Sequence, residues 1–108
     1  MKLTVLGCGR WGAFLASYHS AKNDVLLWGR PGSKSFAALQ KERKNAYLAL
    51  PSQLRLESEL SAALEFAQVV VISISAQQLR DLARRIARFD LAGKTFILCM
   101  KGIEVQSA

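Results

Sequence analysis

Residues 7–12 read Gly7-Cys8-Gly9-Arg10-Trp11-Gly12, three glycines at the spacing G-x-G-x-x-G. Leu3 to Leu6 before them is a short β-prone run, and from Trp11 to Ala21 the residues Trp11, Phe14, Leu15 and Tyr18 recur at helical spacing. The glycines therefore sit between a strand and a helix, the context in which this spacing is informative. Gly7 permits a tight turn, Gly9 lets backbone approach a pyrophosphate, and Gly12 allows close helix packing. The first turn of the helix offers unpaired N–H donors to the anion. A glycine-rich turn that binds nothing is the bland alternative, and the flanking strand and helix count against it.

Outward from this loop the same alternation continues. Val25 to Trp28 is a compact apolar run between Asn23-Asp24 and the turn residues Gly29-Arg30-Pro31-Gly32. Ser33 or Ser35 can cap a helix to about Arg43; Asn45 to Pro51 looks irregular, and Leu54 to Leu56 is a candidate for a brief strand. Ser58 can cap a helix through Phe66. Val69 to Ile74 is a continuous β-branched run, the pattern of a parallel strand buried on both faces. Ser75-Ala76-Gln77-Gln78 has the form of a capping box and opens a helix to about Phe89; Gly93 then precedes an apolar run from Thr95 to Met100.

Strands and helices alternating through short turns predict an α/β fold: a Rossmann-type doubly wound parallel sheet with helices on both faces. Residues 1–108 are expected to be one dinucleotide-binding domain, a fragment with apolar surface at its broken edge, since the sequence stops eight residues after Met100.

Composition narrows the partners. A chain of 108 residues, 51% hydrophobic, fits one small domain with a well-filled interior. Fifteen Lys and Arg against eight Asp and Glu give a formal charge of +7, which attracts anions. Phosphates, nucleic acid or acidic membranes all qualify on charge, but the basic residues are scattered and no nucleic-acid motif appears, so nucleic acid is not expected. Two cysteines in an ordinary composition point to the cytoplasm. Neither a signal peptide nor a membrane span is expected.

Several residues are candidates for chemistry. The end of the second strand carries no acidic residue to hold a ribose 2′-hydroxyl; it reads Trp28-Gly29-Arg30. A guanidinium there can pair with a 2′-phosphate or stack on adenine, so NADP is expected to bind at least as well as NAD, an exposed turn arginine being the alternative. Lys101, past the last strand, can reach a substrate phosphate or the nicotinamide end of the cofactor, or be a solvated surface lysine. Cys8, Cys99 and His19 are read as structural, since neither thiol has an evident base beside it. Arg80, Arg84 and Arg88 form a basic stripe, read as a solvated helix face. No metal is expected.

In these residues the chain resembles the bacterial NAD(P)-dependent glycerol-3-phosphate dehydrogenases over nearly its whole length. The resemblance is carried by Gly7, Gly9, Trp11 and Gly12, by Leu27-Trp28-Gly29-Arg30, by Asn45, Tyr47-Leu48 and Leu50-Pro51 in shortened form, and by Lys101-Gly102-Ile103. Three places depart from the pattern. Arg10 stands where the family often has serine, Ser75-Ala76 replaces proline-serine, and Tyr47-Leu48-Ala49 lacks proline-glycine. The resemblance implies hydride transfer between sn-glycerol 3-phosphate and dihydroxyacetone phosphate, a step that supplies phospholipid biosynthesis. It further implies that Arg10, Trp11, Arg30 and Tyr47 line the cofactor site, that Lys101 touches both substrate and cofactor, and that a homodimer is compatible with the fold. The catalytic lysine and most of the phosphate site would lie in a helical domain absent from these residues. Two other readings fit the glycine loop: another two-domain NAD(P) dehydrogenase, or a regulatory module that senses NAD(H).

Overall fold

A computed structural model describes residues 1–44 and 49–99, apart from the side chains of Arg10 and Ala76. Within these residues the strands are β1 (Lys2–Leu6), β2 (Asp24–Trp28), β3 (Arg55–Glu57), β4 (Val69–Ile72) and β5 (Thr95–Leu98). The helices are α1 (Arg10–His19), α2 (Lys34–Glu42), α3 (Leu60–Phe66) and α4 (Ala76–Ile86). All strand pairs are parallel, in the order β3-β2-β1-β4-β5, which is the doubly wound arrangement. The order reverses between β1 and β4, where Leu3 pairs Val69 and Leu6 pairs Ile72.

Side chains alternate across a strand, so each strand feeds two cores. Leu3, Val5, Val25, Leu27 and Val71 meet Ala13 and Ala16 of α1 and Leu39 of α2 on one face. Leu6, Leu26, Trp28, Val70 and Ile72 meet Ala63 and Leu64 of α3 and Leu82 and Ile86 of α4 on the other. The β-branched run of β4 is buried, as a strand covered on both faces requires.

Several expected boundaries shift. β3 begins one residue later than the apolar run at Leu54, because its pairing with β2 starts at Leu26 opposite Arg55. β4 stops at Ile72, not Ile74: Ser73 and Ile74 lead the chain out of the sheet so that the Ser75 hydroxyl can accept from the Gln78 N–H and cap α4. α4 ends at Ile86, three residues short of Phe89, and closes through shorter-range bonds from Arg88 N–H to the Arg85 carbonyl and Phe89 N–H to the Ile86 carbonyl. β5 ends at Leu98, and Met100 lies outside the described residues.

Ser58 does not cap α3. The helix starts at Leu60, and the Glu57 carboxylate accepts the N–H groups of Ser58 and Glu59, each at 3.0 Å. The carbonyl of Ser58 instead accepts the indole N–H of Trp28 at 3.0 Å, tying the end of β2 to the start of α3.

At the other end of α3, Ala67 leaves the helix in extended conformation, and the Ala63 carbonyl is taken by the Thr4 hydroxyl at 2.8 Å. Thr4 is completely buried, so Thr4→Val keeps the shape of the side chain and strips an interior carbonyl of this donor. The variant is expected to lose about 1–3 kcal/mol of stability, read from the urea midpoint with an unchanged slope.

Candidate functional site

The glycine loop lies at the carboxyl end of β1, at the point where strand order reverses, the place where open α/β sheets bind ligands. Gly7 holds φ at +115°, a conformation that side chains strain to adopt. Its N–H donates to the Trp28 carbonyl at 2.9 Å, so the sheet continues into the turn. A Cβ on Gly12 would run into the carbonyl oxygen of Gly7. The first turn of α1 therefore sits directly on the end of β1, with no room between them for a methyl group.

Gly9 differs from both. It is the residue before α1, its backbone is extended (φ −66°, ψ −176°), and among the described residues, its two chain neighbours aside, nothing stands within 4 Å of the position its Cβ would take. The open space in front of Gly9 meets the start of α1, whose first turn contains no acidic residue. That combination of free approach, outward N–H groups and positive helix terminus suits a pyrophosphate.

α1 presents its alanines to the sheet and its aromatics outward. Ala13 and Ala16 are fully buried, whereas Trp11, Phe14 and Tyr18 are 52%, 45% and 68% exposed. The three rings stack in sequence, with centroids 5.5 Å and then 6.2 Å apart. A helix held this close to a sheet can face it only with small residues, which is why the helical spacing of the large ones marks the outer side. Trp11 thereby stands beside the glycine loop with an accessible ring.

Arg30 is exposed in the turn after β2, at the same end of the sheet. Cys8 links the two loops: its sulfur lies 3.8 Å from the Ser33 hydroxyl, and Ser33 caps α2 by accepting the Phe36 N–H at 3.3 Å. Burial pushes the Cys8 thiol up, against opposing pulls from the Ser33 contact, a backbone hydrogen bond and the charge of Arg30. The group is accordingly a protonated thiol at neutral pH, in keeping with a packing role.

The structure thus brings Gly7, Gly9, Gly12, Trp11 and Arg30 together. Arg10 opens α1, but its side chain is outside the described part, as are Tyr47 and Lys101 entirely. Cys99 follows β5 at the carboxyl end of the sheet, half-buried, and His19 closes α1 at the end away from the loop. Arg80, Arg84 and Arg88 are exposed. Sequence reasoning treated Ser33 only as a helix cap; its contact with Cys8 spans 25 positions and leaves no local signal. Among the described residues no cluster of His, Cys, Asp and Glu is arranged to hold a metal, and no helix is long and apolar enough to cross a membrane.

Residues 2–108 match a family model described as NAD-dependent glycerol-3-phosphate dehydrogenase N-terminus. The glycerol-3-phosphate dehydrogenase (NAD(P)+) of Ralstonia nicotianae is 37% identical over 114 residues, which cover 99% of this chain and 33% of that protein. The enzyme of the same name from Cupriavidus necator is 36% identical over 113 residues, 96% of this chain and 33% of its own length. Among solved structures, glycerol-3-phosphate dehydrogenase from Coxiella burnetii superposes with a TM-score of 0.82 at 24% identity, over 93% of this chain and 32% of that one. The Saccharomyces cerevisiae enzyme gives 0.77 at 20%, over 94% and 33%. The structural likeness at these identities is one of fold. The chain spans about a third of the length of the curated relatives it matches.

The unequal surroundings of the glycines make a paired prediction. Gly9→Ala has room for its methyl group and is expected to unfold at the same urea concentration as the parent while losing NADPH binding. Gly12→Ala drives a methyl group into backbone and is expected to lower the midpoint itself.

Proposed function

This chain belongs to the family of NAD-dependent glycerol-3-phosphate dehydrogenase N-termini, and from that membership we propose that residues 1–108 form the dinucleotide-binding domain of an enzyme interconverting sn-glycerol 3-phosphate and dihydroxyacetone phosphate. The observation that carries the reading is the open approach to Gly9 in front of α1, maintained by the contact of Gly12 with the Gly7 carbonyl. When bound, the dinucleotide supplies or accepts the hydride.

The chain's own part is binding and orientation. The loop of Gly7, Gly9 and Gly12, with Arg10 at the start of α1, holds the pyrophosphate through backbone N–H groups and positive charge. Trp11 offers a ring surface beside it, and Tyr47 extends the cofactor wall. Arg30 meets the adenosine ribose. No Asp or Glu occurs between Asp24 and Glu42, so nothing in that stretch repels a 2′-phosphate, and NADP is accepted at least as well as NAD. Lys101 touches substrate and the nicotinamide end of the cofactor. The catalytic lysine and most of the substrate phosphate site belong to a helical domain outside residues 1–108. The setting is cytoplasmic, and the full-length enzyme acts as a homodimer feeding phospholipid synthesis.

Titration of the chain with NADPH and NADH, following the emission of Trp11, is expected to show saturable quenching by both. Arg30→Ala is expected to weaken NADPH about tenfold or more, as loss of a charged hydrogen bond does. Unchanged NADPH affinity in that variant would remove Arg30 from the site. With dihydroxyacetone phosphate added, the chain alone is expected to bind cofactor without turnover, because hydride transfer also needs the ketone in register and a proton donor beside it. Measurable reduction by residues 1–108 would overturn the division of labour.

A further inference from the structure

The turn that carries Arg30 is followed at once by a second cation. Arg30-Pro31-Gly32-Ser33 closes through the Ser33 N–H donating to the Arg30 carbonyl at 3.0 Å. Gly32 takes φ +88°, and proline precedes it, the combination that rigidifies a turn of this kind. Lys34 follows at once as the first residue of α2. Two further contacts fix its backbone. The Phe36 side chain, 2% exposed, packs where a Cβ on Gly29 would stand, pressing the first turn of α2 onto the end of β2. Ser33 reaches the glycine loop through Cys8.

The side chains of Arg30 and Lys34 are both exposed. Among the described residues the one ion pair is Arg85 with Asp81, so neither cation is neutralised by a carboxylate there. The acid that the sheet register sets beside this turn is Glu57, opposite Trp28. Its carboxylate is engaged by the N–H groups of Ser58 and Glu59. Two exposed cations, one in a rigid turn and one at the start of the helix that follows it, with no ion pair among the described residues and beside a loop suited to pyrophosphate, would leave a place for a dianion.

We propose that Lys34 is a specificity-determining residue: with Arg30 it forms a two-cation clamp for the ribose 2′-phosphate, so that the turn after β2 selects NADP(H) over NAD(H). The inference rests on the reading that Arg30 faces the ribose, and it goes further in assigning Lys34 a direct contact. Arg30 supplies a planar fork that can also stack on adenine, whereas Lys34 supplies a mobile point charge that contacts only the phosphate. Its contribution is therefore confined to ligands bearing the 2′-phosphate.

The test is the ratio of NADPH to NADH affinity for the chain, with Lys34→Met, Lys34→Arg and Arg30→Ala compared with the parent. Adenosine 2′,5′-bisphosphate against adenosine 5′-monophosphate serves as a second probe pair. Lys34→Met is expected to lower both ratios about tenfold, and Lys34→Arg to restore them. Lys34 is exposed, so folding is preserved, and circular dichroism of each variant verifies it. Unchanged ratios in Lys34→Met, with reduced ratios in Arg30→Ala, would overturn the clamp and leave the role of Arg30 standing. Unchanged ratios in both variants would overturn the clamp and the placement of the ribose together.

Discussion

The carbonyl of Gly7 and the α-carbon of Gly12 approach so closely that no side chain fits between them, and much of the site is arranged around that contact. It seats the first turn of α1 on the end of β1. Small residues then follow along the inner face, Ala13 and Ala16, and the bulk of the helix is moved to its outer side. The same seating sets the free N–H groups of α1 beside the space in front of Gly9, which no described residue other than its chain neighbours is shown to enter. One steric constraint thus links the close packing of helix on sheet to the open approach before α1 at the switch of strand order.

Around this contact the loops are braced against each other across the sheet. The Gly7 N–H reaches β2, the Trp28 indole reaches the start of α3, and Ser33 reaches Cys8. A second brace joins the end of α2 to the residues before β3, where the Arg43 guanidinium donates to the carbonyls of Pro51 and Leu54, each at 2.7 Å. The net +7 includes Arg30 and Lys34 on the turn after β2, and the nearby carboxylate of Glu57 is turned to backbone N–H groups. Both cations are exposed at the end of the sheet that carries the glycine loop.

The sheet was legible because its strands are compact apolar runs bounded by turn residues, and the glycine spacing disclosed both the loop and its location. The inner face of α1 was harder to read. Trp11, Phe14 and Tyr18 share a helical face, and so do Ala13 and Ala16; periodicity identifies the helix without saying which face is buried, and proximity to β1 decides it. Ser58 looked like a cap by residue type, but the Glu57 carboxylate reaches the same amides and frees the Ser58 carbonyl for Trp28. The junction of Cys8 with Ser33 depends on how β1 and β2 lie side by side, information that no local window contains. Tyr47 was read from resemblance, Lys101 from its place past the last strand as well as from resemblance, and both lie outside the described residues.

The most direct test of the central claim is an NMR titration of the 15N-labelled chain with NADPH, following the backbone amides residue by residue. The account predicts the largest shifts at Gly9, Arg10 and Trp11, with a second group at Arg30 and its turn, and little change at the amino-terminal ends of the strands around Lys2, Gln68 and Lys94. Shifts concentrated at that opposite end, or saturable binding that leaves the amides of Gly9 to Trp11 unmoved, would contradict it.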